Sequence, residues 1–420
     1  MRYLVIAILL ALSIGAQAKG AQFQELSQLI EMAYDSNQAI KGQSSEVEAQ
    51  DSLSTSASGL DSPMVGISTL DRGLRTQYAT ISQRIRFPNK YFMSSNAQEA
   101  VMESSKAILQ ATKLQVRSQV ASLYFAIYSA QKEIQLTNFN IESVKEFARV
   151  AEKKYAAGQT SQSDSMKAHF ELTQLELEKI RLVQDEQALQ DKLKATLGNS
   201  NFSGLNLVEV ELNPPSFFEY KIASRDKKIE NLLKESSPLL RSANFKLEEA
   251  SIRSRLAQWE FVPDFQVQYQ QRIAGDPTDS SIFSVGITIP LWFWNQYSNA
   301  SAAISKKKAQ QYRLNDLTLQ LSSQVKDLLG KVKTGFKTIE IYKTSLLPQA
   351  QGAYNSSRSA YQANKTSFLD LLDSERSLYR VKTGYYKSLS QYVMYLSQLE
   401  SLVGYEVSNL GVSKGVRSEK

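Results

Sequence analysis

The chain has 420 residues, a formal net charge of +7 and no cysteine, which excludes disulfides, thiolate metal sites, a cysteine nucleophile and an acylated N-terminal cysteine. Its 18 glycines and 9 prolines are few for the length, and that scarcity of turn formers favours an extended helical object over stacked globules. The one basic run, Lys306-Lys307-Lys308, lies in a helical pattern without interleaved aromatics, so it reads as a solvated face or a contact with anionic headgroups, not a nucleic-acid site.

In chain order, residues 1–18 read as a signal peptide. Arg2 supplies the positive end, residues 3–14 an apolar core too short to span a bilayer, and Ala16-Gln17-Ala18 a small-residue cleavage site. No later stretch approaches the ~20 apolar residues of a membrane helix. The mature chain, starting at Lys19, is therefore expected to leave the cytoplasm without a helical anchor.

After a first helix, the apolar period changes to two. Ala79, Ile81, Ile85 and Phe87 fall in one phase, with Thr80, Ser82, Arg84 and Arg86 opposite. The same alternation recurs in Phe265-Gln266-Val267-Gln268-Tyr269-Gln270 and in Phe283-Ser284-Val285-Gly286-Ile287-Thr288-Ile289. Four strands are predicted, over about 63–72, 76–88, 262–273 and 281–291, each near the ~10 residues of a membrane-spanning strand. Spanning strands must close into a barrel because unpaired edges cannot sit in hydrocarbon. Four are fewer than the roughly eight of the smallest such barrels, so the chain is expected to complete its barrel with copies of itself.

From Pro88 a helical pattern runs to Ala157 without an internal proline, and Val120, Leu123, Ile127, Ala130, Ile134, Thr137, Ile141, Val144, Ala148 and Ala151 form a heptad seam within it. A second seam runs through Leu314, Thr318, Leu321, Val325, Leu328, Val332, Gly335, Ile339, Tyr342 and Leu346. Rods of roughly 100 Å are expected, and these must pack along other rods. Each ends in a turn, Gly158-Gln159-Thr160 or Asn364-Lys365-Thr366, followed by Ser161-x-x-Asp164 or Ser367-x-x-Asp370, the capping-box spacing that opens a returning helix.

The two halves are related. Phe87, Asn89 and Tyr91 recur 206 positions later as Phe293, Asn295 and Tyr297, and Tyr155, Thr160, Ser161 and Asp164 recur as Tyr361, Thr366, Ser367 and Asp370. Upstream the offset is 200, pairing Pro63, Val65 and Ile67 with Pro263, Phe265 and Val267, so the second half carries extra residues in the loop 273–281. A register held through strands and helices predicts internal duplication. The expected organisation is a signal peptide (1–18), a first repeat (19–204, with a β-hairpin at about 63–88), an equatorial linker (205–235), a second repeat (236–404, with a hairpin at about 262–291) and a C-terminal tail (405–420).

A secretory signal, this duplicated unit, and the segment Tyr361-Gln-Ala-Asn364-Lys-Thr366-Ser-Phe-Leu-Asp370-Leu-Leu-Asp373 together resemble the TolC family of outer-membrane efflux proteins, over essentially the whole mature chain. Phe87-Pro88-Asn89-Lys90 and Ile289-Pro290-Leu291 add to the likeness. The resemblance implies a mainly α chain with a transmembrane β part: a homotrimer with a shared 12-stranded β-barrel, continued into the periplasm by a long antiparallel α-helical barrel. It also implies an outer-membrane location in a Gram-negative bacterium, a passive exit duct for small molecules, metal ions or polypeptides, and docking to a periplasmic adaptor and an inner-membrane pump of the RND or ABC type. No catalysis and no cofactor are implied.

By the same resemblance Asp370 and Asp373 match acidic positions that ring the periplasmic entrance, and Tyr361 matches a tyrosine that holds it closed. The family's arginine five positions further on is Thr366 here, so the closing network differs. Asp370 also has a capping role that Asp164 repeats, whereas Asp373 has none and its counterpart is Lys167. Gly158, Thr160, Ser161, Asn364, Thr366 and Ser367 form the tips that would face the adaptor. Arg84 and Arg86 would line the lumen and bias passage toward anions. Trp259, Trp292 and Trp294 lie near strand ends, where interfacial aromatics anchor barrels. His169 is the only histidine, and no metal site is expected. The alternative is a periplasmic coiled-coil adaptor or scaffold without a pore, although its β-rich lipoyl-like halves are not visible. An enzyme would need a phosphate loop, a metal-spaced cluster or a nucleophile elbow, and none is found.

Overall fold

The computed structural model describes residues 26–71, 75–158, 161–215, 231, 233–275, 280–289, 291–363 and 365–404. The signal peptide, Thr160, Asn364, most of the later linker and the tail lie outside the described residues. In order the elements are α1 (Leu26–Ser36), α2 (Gln38–Ala57), β1 (Met64–Asp71), β2 (Arg75–Ile85), α3 (Pro88–Ala156), α4 (Gln162–Leu197), α5 (Pro238–Trp259), β3 (Asp264–Ala274), β4 (Ile282–Thr288), α6 (Phe293–Ile341), a π-helical turn (Tyr342–Leu346), α7 (Leu347–Gln362) and α8 (Phe368–Val403).

Helix α3 is 69 residues long, roughly 100 Å at 1.5 Å per residue. Its heptad seam is the buried stripe: Val120, Ile127, Thr137, Ile141, Val144, Ala148 and Ala151 are all buried, with Leu123, Ala130 and Ile134 half-buried beside them. The stripe packs on α4 and α8, and the upper end of α3 packs on α2 and α5. The second rod departs from the predicted unbroken seam. Leu321 to Ile339 supply buried positions, but the backbone then loosens into the π-turn at Tyr342–Leu346, and Leu346 is left exposed. Pro348 explains this: it has no N–H to give the carbonyl four residues back, and a wider turn absorbs the mismatch. Tyr342 rests there on Gly384 of α8, where a Cβ would come within 2.6 Å of its hydroxyl.

The two return helices end alike. Gly198 and Gly404 take left-handed backbone angles, φ 68° and 75°, as helix-terminating glycines do. Each also abuts the chain at the start of its own half: a Cβ on Gly198 would lie 2.4 Å from the Ser36 carbonyl oxygen, and one on Gly404 would lie 2.4 Å from that of Ser236. Glycine is required at both for conformation and for space. Element boundaries follow the sequence offsets too, since α4 begins at Gln162 and α8 at Phe368, and β1 begins at Met64 and β3 at Asp264.

The four strands form one antiparallel sheet in the order β1-β2-β3-β4. Its register places Val65 opposite Ile81, Ile81 opposite Tyr269, Phe265 opposite Ile287 and Val267 opposite Val285, so one face is apolar across all four strands. That face is bare: Val65 is 75 % and Phe283 68 % exposed. On the other face Gln270 donates to Ser68 and Thr80, and those two hydroxyls are 3.2 Å apart, a polar ladder across three strands.

Strand and helix meet at a buried ionic joint. Pro88 opens α3, where its missing N–H costs nothing. Lys90, one turn in, is 2 % exposed and donates to Asp264 Oδ1 at 2.8 Å and to the Val262 carbonyl at 2.8 Å. The Phe87 N–H and the Arg84 guanidinium complete the shell of Asp264 at 3.1 and 2.6 Å. Phe87, predicted on the apolar strand face, instead leaves the sheet and stacks on Trp259 at 5.6 Å.

Asp264→Ala is expected to cost about 3–5 kcal/mol, because it leaves the buried Lys90 ammonium with only the looser Glu260 carboxylate, 3.9 Å away. Lys90→Met combined with Asp264→Leu is expected to recover most of that loss. Thermal melting of the folded protein in detergent checks both, and equal melting of the single variant and the wild type would remove the joint from the account.

Candidate functional site

The end of the helical rods opposite the sheet carries most of the sequence-predicted site residues. Here α3 turns into α4 through Gly158, left-handed at φ 70° with open space around its Cα, and α7 turns into α8 through Lys365 to Ser367. Ile141, Val144, Phe147 and Ala148 of α3 pack with Ala168 and Leu175 of α4, Tyr354 and Tyr361 of α7, and Phe368, Leu371, Leu372 and Leu378 of α8 in a small apolar core just behind the tips.

The two caps differ. Ser367 and Asp370 form the reciprocal capping box: Ser367 Oγ accepts from the Asp370 N–H at 3.2 Å, and Asp370 Oδ2 accepts from the Ser367 N–H at 3.2 Å. The hydroxyls of Ser367 and Thr366 add bonds of 2.8 Å each to the same oxygen. These donors, the Ser367 hydroxyl foremost, hold the Asp370 carboxyl below its ordinary range. At the first tip Ser161 accepts from the Ser163 N–H instead, at 3.1 Å, and no reciprocal box closes.

Asp373 lies one turn on. Its side chain is 75 % exposed and 3.8 Å from Arg376, so it is a free-standing surface carboxylate with one loose cationic neighbour. Asp370 and Asp373 thus share one face of α8 while doing different local work. Tyr361 is buried, its ring edge-on to Phe368 at 5.9 Å and under the Lys154 ammonium at 4.0 Å. Lys154 also donates to the Tyr361 carbonyl at 3.0 Å. The Tyr361 hydroxyl is buried without a hydrogen-bond partner, and burial, then the charge of Asp164, pushes its pKa up.

Arg84 and Arg86 sit at the far end, at the base of the sheet, and both are engaged. Arg84 pairs with Asp264; Arg86, one residue beyond β2, lies 3.6 Å from Asp61 and 4.4 Å over the Tyr91 ring. Trp292 and Trp294 are exposed and 5.3 Å apart at the β4–α6 corner. Between the two ends, residues 202–215 cross the rods as an irregular segment with a turn at Val208-Glu209. Gln131 of α3 and Gln190 of α4 bracket Leu205 and Leu207 with bonds of 2.7–2.9 Å, and Tyr392 of α8 donates to the Pro215 carbonyl at 2.9 Å.

Three groups escaped the sequence reading: Glu171, Glu375 and Arg376, buried or half-buried behind the tips. Their signal was there, since Ala168, Glu171 and Leu175, and Leu371, Glu375 and Leu378, both step three and four residues along a seam, and a carboxylate in a seam position needs a partner. Among the described residues no group of three or more His, Cys, Asp and Glu could hold a metal ion. His169 is exposed and contacts Glu152 at 2.9 Å. No described helix is long and apolar enough to cross a membrane.

The model of the outer membrane efflux protein family matches residues 38–199 and 230–405, taking in both hairpins, both long rods and both return helices. The chain is 24 % identical over 340 residues to the cobalt-zinc-cadmium resistance protein CzcC of Cupriavidus metallidurans, covering 79 % of this chain and 78 % of that one. Its fold is similar to that of the outer membrane protein VceC of Vibrio cholerae, with a TM-score of 0.75 at 16 % identity, over 90 % of this chain and 96 % of the other. It is likewise similar to the MtrE outer membrane channel of Neisseria gonorrhoeae in its open state, with a TM-score of 0.74 at 17 % identity, over 93 % and 91 % of the two chains. A sheet with a bare apolar face, set on rods too long for a globule and matched along both halves, leaves one conclusion: the chain belongs to the outer membrane efflux protein family and is an outer-membrane efflux channel with a long periplasmic helical part, not an enzyme.

Proposed function

We propose that this protein is the passive exit duct of a tripartite efflux or type I secretion system, built as a homotrimer and docked to a periplasmic adaptor and an inner-membrane pump. The carrying observation is the sheet: four strands with an apolar outer face, and no strand partner for the outer edge of β1 or β4 among the described residues. In hydrocarbon each unpaired backbone group costs several kcal/mol, so those edges must pair with other copies. Three copies give about 12 strands, within the range of known spanning barrels. The chain is read as one unit duplicated, with repeats at 19–204 and 236–404 joined by the equatorial linker 205–235.

Threefold symmetry would bring Asp373 from each copy to the periplasmic entrance, together with the capped Asp370. Crowded carboxylates of this kind take up protons or divalent cations. Tyr361, packed between Phe368 and Lys154, would fix the tip that carries them. Gly158, Thr160, Ser161, Asn364, Thr366 and Ser367 would present the turns to the adaptor. Any anion preference from Arg84 and Arg86 in the lumen would be reduced by Asp264 and Asp61 beside them. The similarity to a cobalt-zinc-cadmium resistance protein supports divalent transition-metal ions as cargo.

The duplication sets the register between copies. Within the chain Ser82 of β2 faces Gln268 of β3; the offsets of 206 and 200 carry that pair to Thr288 of one copy and Ser68 of the next. In this cysteine-free chain, Ser68→Cys with Thr288→Cys is expected to oxidise to covalent trimers on a denaturing gel. Ser68→Cys with Gly286→Cys, out of register by ~7 Å, is expected to stay monomeric. Monomers from the first pair would contradict the closed barrel. For cargo, a host lacking the gene is expected to lose several-fold of its tolerance to cobalt, zinc and cadmium while tolerance to organic antibiotics is unchanged; the reverse pattern would replace the metal cargo and leave the duct standing.

A further inference from the structure

Two buried carboxylates meet behind the tips. Glu171 of α4 and Glu375 of α8 are each 5 % exposed, and among the described residues their helices have little close backbone approach to each other. Glu171 is satisfied: Arg376 Nε donates to one of its oxygens at 3.0 Å, and a second guanidinium nitrogen donates to the other. That two-pronged bridge ties the α4 return helix directly to the α8 return helix. Glu375, next to Arg376 in the chain, is not satisfied, since its Oε2 is buried with no hydrogen-bond partner.

The charged groups around Glu375 come from each element packed there. Helix α4 supplies Glu171, which opposes its ionisation, and α7 supplies Arg358, which favours it. Tyr354 of α7 lies close enough to feel Glu375 and Arg358, and α3 turns Ser143 and Glu146 toward that tyrosine. On α8 itself Arg376 is shared between Glu171 and the exposed Asp373.

We propose that Glu171, Glu375 and Arg376 form a proton-dependent clasp between the two return helices: protonated Glu375 leaves Arg376 to grip Glu171, and ionised Glu375, only partly offset by Arg358, sets a second buried negative charge against Glu171 and loosens the grip. Burial, then the neighbouring Glu171, pushes the Glu375 carboxyl up to about 8. A carboxyl raised in the fold favours the native state fully below its unfolded range near 4.3, and that stabilisation is lost as pH climbs through the folded value. The clasp is therefore closed at neutral pH and opens in alkali. It lies within two turns of Asp370 and Asp373, so its bearing on the entrance rests on the duct reading, but its existence does not.

Hydrogen exchange on the full-length protein in detergent separates the two, because it needs no transport. After correction for intrinsic rates, wild-type peptides spanning 168–176 and 371–379 are expected to exchange about thirtyfold faster at pH 9 than at pH 6.5, the factor by which the ionised fraction of a carboxyl titrating at about 8 rises over that range. Glu375→Gln is expected to remove that response by staying closed. Glu171→Gln is expected to exchange fast at both pH values, because Arg376 has lost its anchor; it decides the matter should the Glu375→Gln protein not assemble. A wild type without pH response, a Glu375→Gln protein with the wild-type response, or a Glu171→Gln protein with the wild-type pattern would each overturn the clasp.

Discussion

Each strand that crosses a membrane needs hydrogen-bond partners along both edges, because hydrocarbon offers none. Here the described residues of one chain supply four strands, with no strand partner on the outer edge of β1 or β4 among them, and the remaining architecture holds those edges ready. The apolar face must point one way on every strand, so the register is fixed from Val65 to Ile287. The joint between sheet and rod must be stiff, or the strands would not arrive at the bilayer together. A buried Lys90–Asp264 pair satisfied from three directions supplies that stiffness, and it links the first half of the chain to the second.

Below the joint, packing follows the heptad, and the polar contacts within it mark where the rods are held in register. Thr137 and Tyr379 share a hydrogen bond of 2.9 Å, Lys387 reaches Glu133 at 2.6 Å, and Ser118 and Ser397 meet at 3.2 Å, all between α3 and α8. A purely apolar seam slides by a heptad at little cost, and paired polar groups make such a slip expensive. The irregular segment at 202–215 adds a lateral tie at mid-height. Toward the tips the apolar core narrows to a small cluster, and buried carboxylates replace leucines in the seams. The rods are thus most heavily packed at mid-height and most thinly at the tips.

Periodicity made much of this legible in the amino-acid sequence. The first rod, its seam, the four strands and their phase follow from spacing alone, because burial on one face is a local property of a repeating pattern. The π-turn before Pro348 was missed because the apolar spacing runs on across it while the backbone bond does not. Lys90 and Asp264 are 174 positions apart, and Glu171 and Arg376 are 205 apart. A lone charge in a seam announces only that a partner exists, and the fold is needed to say which. Asp370 shows the converse case, where three local hydrogen bonds to one carboxylate account for the residue before any pore is invoked.

In the proposed assembly, copies of this chain enclose a water-filled path ending at an acidic constriction. Single-channel recording of the detergent-purified protein in a planar bilayer tests it most directly, comparing wild type with Asp373→Ala at neutral pH before and after a divalent cation is added to the periplasmic side. A discrete wild-type conductance that the cation blocks, with weaker block in the variant, is the expected result. A strand-containing oligomer that never conducts would contradict the duct and leave a scaffold in its place.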